Sequence, residues 1–179
     1  MKTNEEKIIA FAKDVTKGQA EKYVYSGIHY KDEYAYFTDG RIAGRSKLVY
    51  VKELEEKTFS LKNYSLIEGK FPDAAKVFDT DGFRVISSFE TEKQVKIPEL
   101  VYKAPKINDF DENSVYLNNN MQFTFKCDND SIVRLNTNYL RMLKHFDNLI
   151  PTIYYQSDDR PLIFHFNEII EIVLMPVRM

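Results

Sequence analysis

The N-terminal segment carries apolar side chains at helical spacing. With successive residues turned by about 100°, one side of a helix consists of Ile8, Phe11, Ala12 and Val15. Thr3 and Glu6 have the spacing of a capping box, in which each side chain satisfies a backbone amide at the start of a helix. We therefore predict a helix that begins at Thr3 and ends before Gly18. Its outer side presents Lys2, Glu6, Lys13 and Lys17.

After residue 22 the pattern becomes that of strands. Segments 23–30 and 34–44 are rich in tyrosine and other strand-forming residues, and turn signals stand at 31–33 and 38–40. Residues 51–113 are mixed, with candidate strands that prolines separate and whose pairing the sequence leaves open.

The pattern is clear again in the last third of the chain. Two predicted strands, 114–127 and 131–136, precede a helix over 137–148 that Asn136 caps. The inward side of this helix consists of Tyr139, Leu140, Leu143 and Phe146, and its outer side of Arg141, Lys144, His145 and Asn148. The final predicted strands cover 152–156, 162–166 and 168–179.

A helix with a basic outer side and accompanying strands thus occurs near each end of the chain. This repetition predicts the α+β class, with two helices packed on an antiparallel sheet. Because 179 residues are the usual size of one domain, we predict a single domain over residues 1–179.

Composition narrows the class of protein. Hydrophobic residues make up 44% and charged residues 29%, which argues against intrinsic disorder. The net charge of −2 argues against a protein that coats nucleic acid through bulk charge, although a local basic face remains compatible with it. The single cysteine, Cys127, cannot form an internal disulfide, and no apolar run has the length of a membrane span. We expect a cytoplasmic protein with no membrane partner.

The chain lacks recognisable catalytic motifs. His29, His145 and His165 do not have the spacing of a zinc site, and phosphate-binding glycine motifs are missing. The acidic pairs are typical of tight turns, which select Asp and Asn. They are Asp128 with Asp130 and Asp158 with Asp159. We expect no catalytic residue, no metal and no cofactor, and an enzyme that uses these pairs with a divalent metal is the least favoured hypothesis.

Cations on the outer sides of both predicted helices allow two interpretations. They are common as solubilising surface. They also suit a phosphate backbone, which attracts cations independently of base sequence. The second interpretation requires the two helices to turn their cations in the same direction.

Four segments occur in the order of the motifs of one known family. SGIHYKDEYAYFTDGRIAGR (26–45) is similar to its strand pair with an ATDGHRLA-type turn, and LIEGKFPDAAKVF (66–78) to its LIDGRFPDY-type segment. LNTNYLRML (135–143) is similar to its N-x-x-YLL motif, and the C-terminal PLIF and EIVLMPVRM to its PLxI strand and VMPMRL terminus. The family is the bacterial sliding clamp, the β subunit of DNA polymerase III. The chain resembles a reduced, single-domain relative of it.

The resemblance implies a DNA-clamp-like fold and two functional surfaces. One surface is a set of helix cations that face duplex DNA, namely Lys2, Lys13, Lys17, Arg141 and Lys144. The other is an apolar pocket for client peptides of a DNA polymerase or another partner, formed by Thr38, Ile42, Pro72, Val77, Val173, Met175 and Pro176. Taken without the resemblance, Val77 and Val173 suit a plain β-sheet core equally well.

The resemblance also bears on assembly. A bacterial clamp subunit has three domains and is about twice as long as this chain, and a clamp ring contains six domains with two helices in each. A homo-oligomer is implied, with six copies of a one-domain chain or fewer copies with another partner. Residues 79–113 match nothing in the family, and we expect them to be an extension or insertion.

Two functions from different classes result. The preferred hypothesis is a non-enzymatic DNA polymerase processivity factor, which binds duplex DNA without base specificity and holds client peptides. The alternative is a monomeric clamp-like interaction module that binds or inhibits a replication protein without encircling DNA.

Overall fold

The computed structural model describes residues 2–20, 23–88, 94, 96, 122–126, 132–157 and 159–176. They form two compact units. The first unit comprises Met1–Asp79 and Asn167–Val173, and the second comprises Thr80–Phe166 and Leu174–Met179. The assignment of residues 1–179 to one domain stays a prediction.

The described part of the chain contains two α-helices and eleven strands. The helices are α1 (Asn4–Thr16) and α2 (Thr137–Met142). The strands are β1 (Gly27–Lys31), β2 (Tyr34–Thr38), β3 (Ile42–Ser46), β4 (Thr58–Ser60), β5 (Leu66–Ile67), β6 (Arg84–Ser87), β7 (Gln122–Lys126), β8 (Ile132–Asn136), β9 (Thr152–Tyr155), β10 (Leu162–Phe166) and β11 (Ile170–Leu174). The predicted α+β class is confirmed.

The capping box predicted for the first helix is present in α1. Thr3 Oγ1 accepts a hydrogen bond from the Glu6 amide at 3.3 Å, and the Thr3 amide donates to Glu6 Oε2 at 2.8 Å. The predicted inward residues Ile8, Phe11, Ala12 and Val15 are all buried. The ring of Phe11 meets that of Phe37 edge-on at 5.6 Å. Burial of an aromatic or aliphatic side chain stabilises a fold by about 1.5–3 kcal/mol, so this face anchors α1 to the strands.

In the first unit the strands follow the order β5-β4-β1-β2-β3-β11. The strands β1 and β2 pair antiparallel and are joined by Asp32 and Glu33, whose φ angles of 49° and 65° are those of a two-residue hairpin turn of type I′. The next turn, between β2 and β3, places Gly40 at φ 88°, a conformation that glycine adopts without a steric penalty. Both turns lie where the sequence predicts them.

In the second unit the strands β10, β9 and β6 are neighbours in that order, and β7 pairs with β8. Asn136 caps α2 as predicted, since its Oδ1 accepts from the Asn138 amide at 2.9 Å. Leu140, Leu143 and Phe146 are fully buried, and the Phe146 ring lies 5.2 Å from that of Phe166. The predicted inward side of this helix is confirmed for these three residues.

Three predicted boundaries are wrong. The last strand, predicted over 168–179, is β11 at Ile170–Leu174 and does not include Met175 and Pro176. Residues Val24–Ser26 form a 3-10 turn, in which the Ser26 hydroxyl donates to the Tyr23 carbonyl at 2.8 Å, so the strand begins only at Gly27. The second helix is α-helical only to Met142 and continues as a 3-10 helix over Leu143–Phe146. Of the predicted extension 79–113, the structure describes residues 79–88, 94 and 96. The strand β6 lies within 79–88, and the other residues of the extension fall outside the described part of the chain.

Candidate DNA-facing helices and peptide site

The cations predicted to face DNA on the first helix lie on its exposed side. Lys2, Lys13 and Lys17 are all solvent-exposed, because the opposite face of α1 is buried. Lys17 Nζ lies 3.6 Å from Asp14 Oδ1, so the last turn of the helix carries both signs of charge. Lys13 Nζ lies 3.5 Å from the hydroxyl of Tyr64. The outer side of α1 thus carries the three lysines together with the exposed Glu5 and Glu6, and the charge of Lys17 is partly balanced by Asp14.

The cations of the second helix are exposed as well. Arg141 and Lys144 point to solvent, since Leu140 and Leu143 occupy the buried side. The two helices belong to different units, with α1 in the first and α2 in the second. That their cations turn in the same direction therefore stays a prediction.

Two of the predicted peptide-binding residues build the turn between β2 and β3. Thr38 Oγ1 donates to the carbonyl of Ile42 at 2.8 Å and accepts from the amide of Gly40 at 2.9 Å. Asp39 Oδ1 accepts from the amides of Arg41 and Ile42 at 2.8 and 3.0 Å. Thr38 is 6% exposed and Ile42 1% exposed, so within the first unit both side chains support the turn from inside.

The other predicted peptide-binding residues differ in exposure. Pro72 is exposed, and Val77 is 38% exposed. Val173 is 2% exposed within β11, which agrees with the core interpretation of that residue. Met175 and Pro176 follow β11, belong to the second unit and are half-buried.

A cleft of about 330 Å³ lies beside Pro72 in the first unit. Its base is formed by Phe71 and His29, whose rings stack in parallel with centroids 4.7 Å apart. The imidazole Nδ1 lies 3.0 Å from the hydroxyl of Thr58. At the lining, Lys31 Nζ lies 3.4 Å from Glu56 Oε1. The cleft combines an aromatic base with charges of both signs, and Pro72 is the one member of the predicted peptide set that lines it.

Comparison with known proteins decides the fold. No protein-family model and no curated protein matches the sequence. Several solved structures match. A DNA polymerase III beta chain from Streptococcus pneumoniae matches 98% of this chain, with a TM-score of 0.63 and 14% sequence identity. The sliding clamp of Bartonella birtlesii, bound to griselimycin, matches 98% of this chain with a TM-score of 0.64 and 13% sequence identity. The Helicobacter pylori beta clamp, bound to a DNA ligase peptide, matches 97% of this chain with a TM-score of 0.58 and 13% sequence identity. The chain has the sliding-clamp fold.

The match covers nearly all of this chain but only part of each solved clamp. This chain spans 63% of the S. pneumoniae clamp, 65% of the B. birtlesii clamp and 63% of the H. pylori clamp. It therefore resembles a reduced clamp-like relative, as the four sequence segments predict.

Arg45 makes partly buried contacts in this clamp fold that the sequence does not predict. Its Nη2 lies 2.8 Å from Glu171 Oε2, and its guanidinium lies between the rings of Tyr34 and Phe78, at 4.6 and 4.7 Å. Burial opposes the charge of Arg45, but the hydrogen bond and the charge of Glu171 outweigh it and raise the pKa of Arg45. Arg45 thus joins β3 and β11 to Phe78, the residue after Val77. The separation of Arg45 from Glu171 along the chain leaves no local signal for this pair.

The described ranges were predicted to hold no metal site. They contain no group of three or more His, Cys, Asp or Glu side chains that could hold a metal ion. Of the acidic residues weighed for such a role, Asp128, Asp130 and Asp158 fall outside these ranges, as does Cys127. The carboxylate of Asp159 accepts from the Ser157 hydroxyl at 2.6 Å. No helix in the described ranges is long and apolar enough to cross a membrane.

We expect acidification to weaken the first unit of the clamp fold through His29. Burial lowers the pKa of His29, while Glu56 and Glu55 oppose the shift and Lys31 adds to it. Below about pH 6.5 the unfolded chain takes up a proton that the folded imidazole resists, so stability falls as the pH falls through that range. The Tm of the wild type should drop more between pH 8 and pH 5.5 than that of His29→Gln. An equal drop in both proteins would contradict this expectation.

Proposed function

We propose that the chain acts as a clamp-like processivity factor for a DNA polymerase, in the cytoplasm and without catalytic activity of its own. The observation that carries the proposal is the clamp fold, matched over 98% of the chain in two clamps. A processivity factor keeps its partner on DNA by contacting both. The function therefore needs a surface for DNA and a surface for the client, and no catalytic residue.

For DNA we propose the exposed cations of the two helices, Lys2, Lys13, Lys17, Arg141 and Lys144. Contacts of lysine and arginine with phosphates carry no base specificity, which a protein that moves along DNA requires. The pairing of Lys17 with Asp14 at 3.6 Å keeps the positive charge of α1 moderate. A moderate charge supports loose contacts that are quickly exchanged.

For the client we propose a short peptide, the class of ligand that the H. pylori clamp binds as a DNA ligase peptide. In the first unit, the exposed Pro72 and Val77 offer apolar contact surface. Thr38, Ile42 and Val173 are buried in the same unit, where they would hold the backbone of the site in place. Met175 and Pro176 belong to the second unit, and for them the proposal rests on the ability of methionine to adapt to different peptide side chains.

For the assembly we propose a ring of three copies. Each compact unit then stands for one clamp domain, in place of the single domain predicted from the sequence, which agrees with a chain that spans 63–65% of the solved clamps. A ring of six domains takes three copies of a two-unit chain, in place of the six copies that a one-domain chain requires. Such a ring closes through one repeated head-to-tail interface.

Native mass spectrometry tests the assembly. The proposal predicts a species of three times the 21.1 kDa chain mass, which grows with protein concentration at the expense of the monomer. A chain that stays at 21.1 kDa at the highest concentration reached would contradict the ring.

The alternative is a monomeric module that has the same clamp fold and binds or inhibits a replication protein without encircling DNA. The two functions differ in their dependence on cations. A monomeric module keeps its partner when the helix cations are reversed, whereas a processivity factor loses DNA.

A further inference from the structure

Tyr64 stands out among the exposed residues of the first unit. It lies in the loop between β4 and β5, its side chain is 70% exposed, and its φ angle is 56°. A left-handed conformation is uncommon for a bulky aromatic residue, because its Cβ lies close to its own carbonyl. Backbone strain of this kind persists where the surroundings enforce it, and it is often found at functional positions.

The loop holds Tyr64 in this conformation through a series of hydrogen bonds. The Tyr64 amide donates to the carbonyl of Ser60 at 3.1 Å, and the Ser60 amide to the carbonyl of Ser65 at 2.9 Å. Asn63 Oδ1 accepts from the amide and the hydroxyl of Ser65 at 3.2 and 2.7 Å. These hydrogen bonds hold the backbone of Tyr64 in the left-handed conformation.

The ring stands beside the basic side of α1. Lys13 Nζ lies 3.5 Å from the Tyr64 hydroxyl and 5.8 Å from the ring centroid. As the phenol oxygen accepts from the ammonium, the phenol keeps its own proton to donate, and the ammonium keeps further N–H groups. Both side chains are exposed, as is Lys62 two residues before Tyr64. Two donors, one of them charged, are thus presented side by side.

We propose that Tyr64 and Lys13 together bind one phosphate of the DNA backbone, with the phenol O–H and an ammonium N–H donating to its oxygens. This inference rests on the proposed DNA binding and adds to it a residue outside the helices. The pair offers hydrogen-bond donors and one positive charge, which is the chemistry that suits a phosphodiester. A contact of this kind with a phosphate carries no base specificity. The carboxylate next to Lys13 in sequence, Asp14, is directed to Lys17 at 3.6 Å, which leaves the Lys13–Tyr64 pair positively charged.

The test compares the wild type with Tyr64→Phe, Lys13→Gln and the double variant, by fluorescence anisotropy with a labelled DNA duplex over a range of salt concentrations. Tyr64→Phe should weaken binding about fivefold without changing the slope of log K against log salt, since it removes no charge. Lys13→Gln should weaken binding and reduce that slope by about 0.9. In the Lys13→Gln background, Tyr64→Phe should have less than a twofold effect, because the shared phosphate is already lost.

Two further variants separate this role from a role in folding. Tyr64→Gly removes the strained φ angle, so its Tm should equal or exceed that of the wild type while its DNA affinity falls. Leu48→Ala, at another exposed apolar side chain of the first unit, should leave DNA affinity unchanged. Tyr64→Phe with wild-type affinity, or equal effects of Tyr64→Phe in both backgrounds, would overturn the shared phosphate contact. Absence of DNA binding by the wild type itself would refute the proposed function together with it.

Discussion

Replacement of Lys13, Lys17, Arg141 and Lys144 by glutamate is expected to abolish DNA association of the chain. All four side chains are exposed, and in the proposed function they attract phosphates. Each lost phosphate contact lowers the salt-dependent part of the affinity, and each glutamate adds repulsion. We expect the dissociation constant for a duplex to rise by about 100-fold or more at low salt. Anisotropy with a labelled duplex measures it.

A control is needed to show that the loss of DNA affinity is not caused by the change in net charge alone. The variant changes the net charge from −2 to −10, since each of the four reversals removes two units of charge. A matched control reverses three other exposed lysines and one other exposed arginine, namely Lys52, Lys57, Lys76 and Arg160. It also reaches −10 and should lose far less affinity than the helix variant. If the two variants lost DNA equally, the helices would have no special role.

The largest loss of stability is expected from Gly27→Ala. Gly27 begins β1 and pairs with Ser60 of β4, and a Cβ added to it would overlap the carbonyl of Phe59. That carbonyl is backbone of a paired strand, so it cannot move aside as a flexible side chain would. We expect a loss of about 3 kcal/mol, at the upper end for overpacking, and a Tm lower by about 6–12 °C. Thermal unfolding followed by circular dichroism measures it.

Gly18→Ala is the control for this substitution. No atom lies within 4 Å of the Cβ that alanine would add at Gly18. Its Tm should stay within about 2 °C of the wild type, as is usual for exposed positions. Gly27→Ala with a wild-type Tm would mean that β1 and β4 do not pair as described.

Signals between residues close in sequence sufficed to predict both helix starts. The capping box of Thr3 and Glu6 and the cap of Asn136 each satisfy amides within the next few residues. The buried sides followed from the helical period, because a helix buries whatever lies on its apolar side. These parts of the fold depend on no distant partner.

The sequence was insufficient to predict features that depend on distant residues or on interactions that compete with the local pattern. The Ser26 hydroxyl binds the Tyr23 carbonyl and turns the chain at a position where the alternating pattern predicts a strand. Arg45 and Glu171 are 126 residues apart in the chain, so no local pattern predicts their ion pair. The burial of Thr38 and Ile42 likewise depends on the turn and the strands around them.

The residue pattern offered a DNA surface on the helices as one of two interpretations, and the resemblance favoured it and supplied the peptide pocket. Exposed lysines on a helix do not by themselves distinguish a DNA surface from a solubilising one. Tyr64 carries no motif, and its left-handed φ and its contact with Lys13 become visible only in the folded chain.

Retention on closed circular DNA distinguishes a ring around the duplex from protein that only adheres to its surface. The chain is mixed with a circular plasmid at high protein concentration and washed at high salt, which removes protein held by charge alone. The same complex is then cut once with a restriction enzyme. We expect the chain to stay on the circle through the wash and to be released after the cut, since a ring slides off a free end. Equal retention on circular and linear DNA, or no retention on the circle, would contradict it.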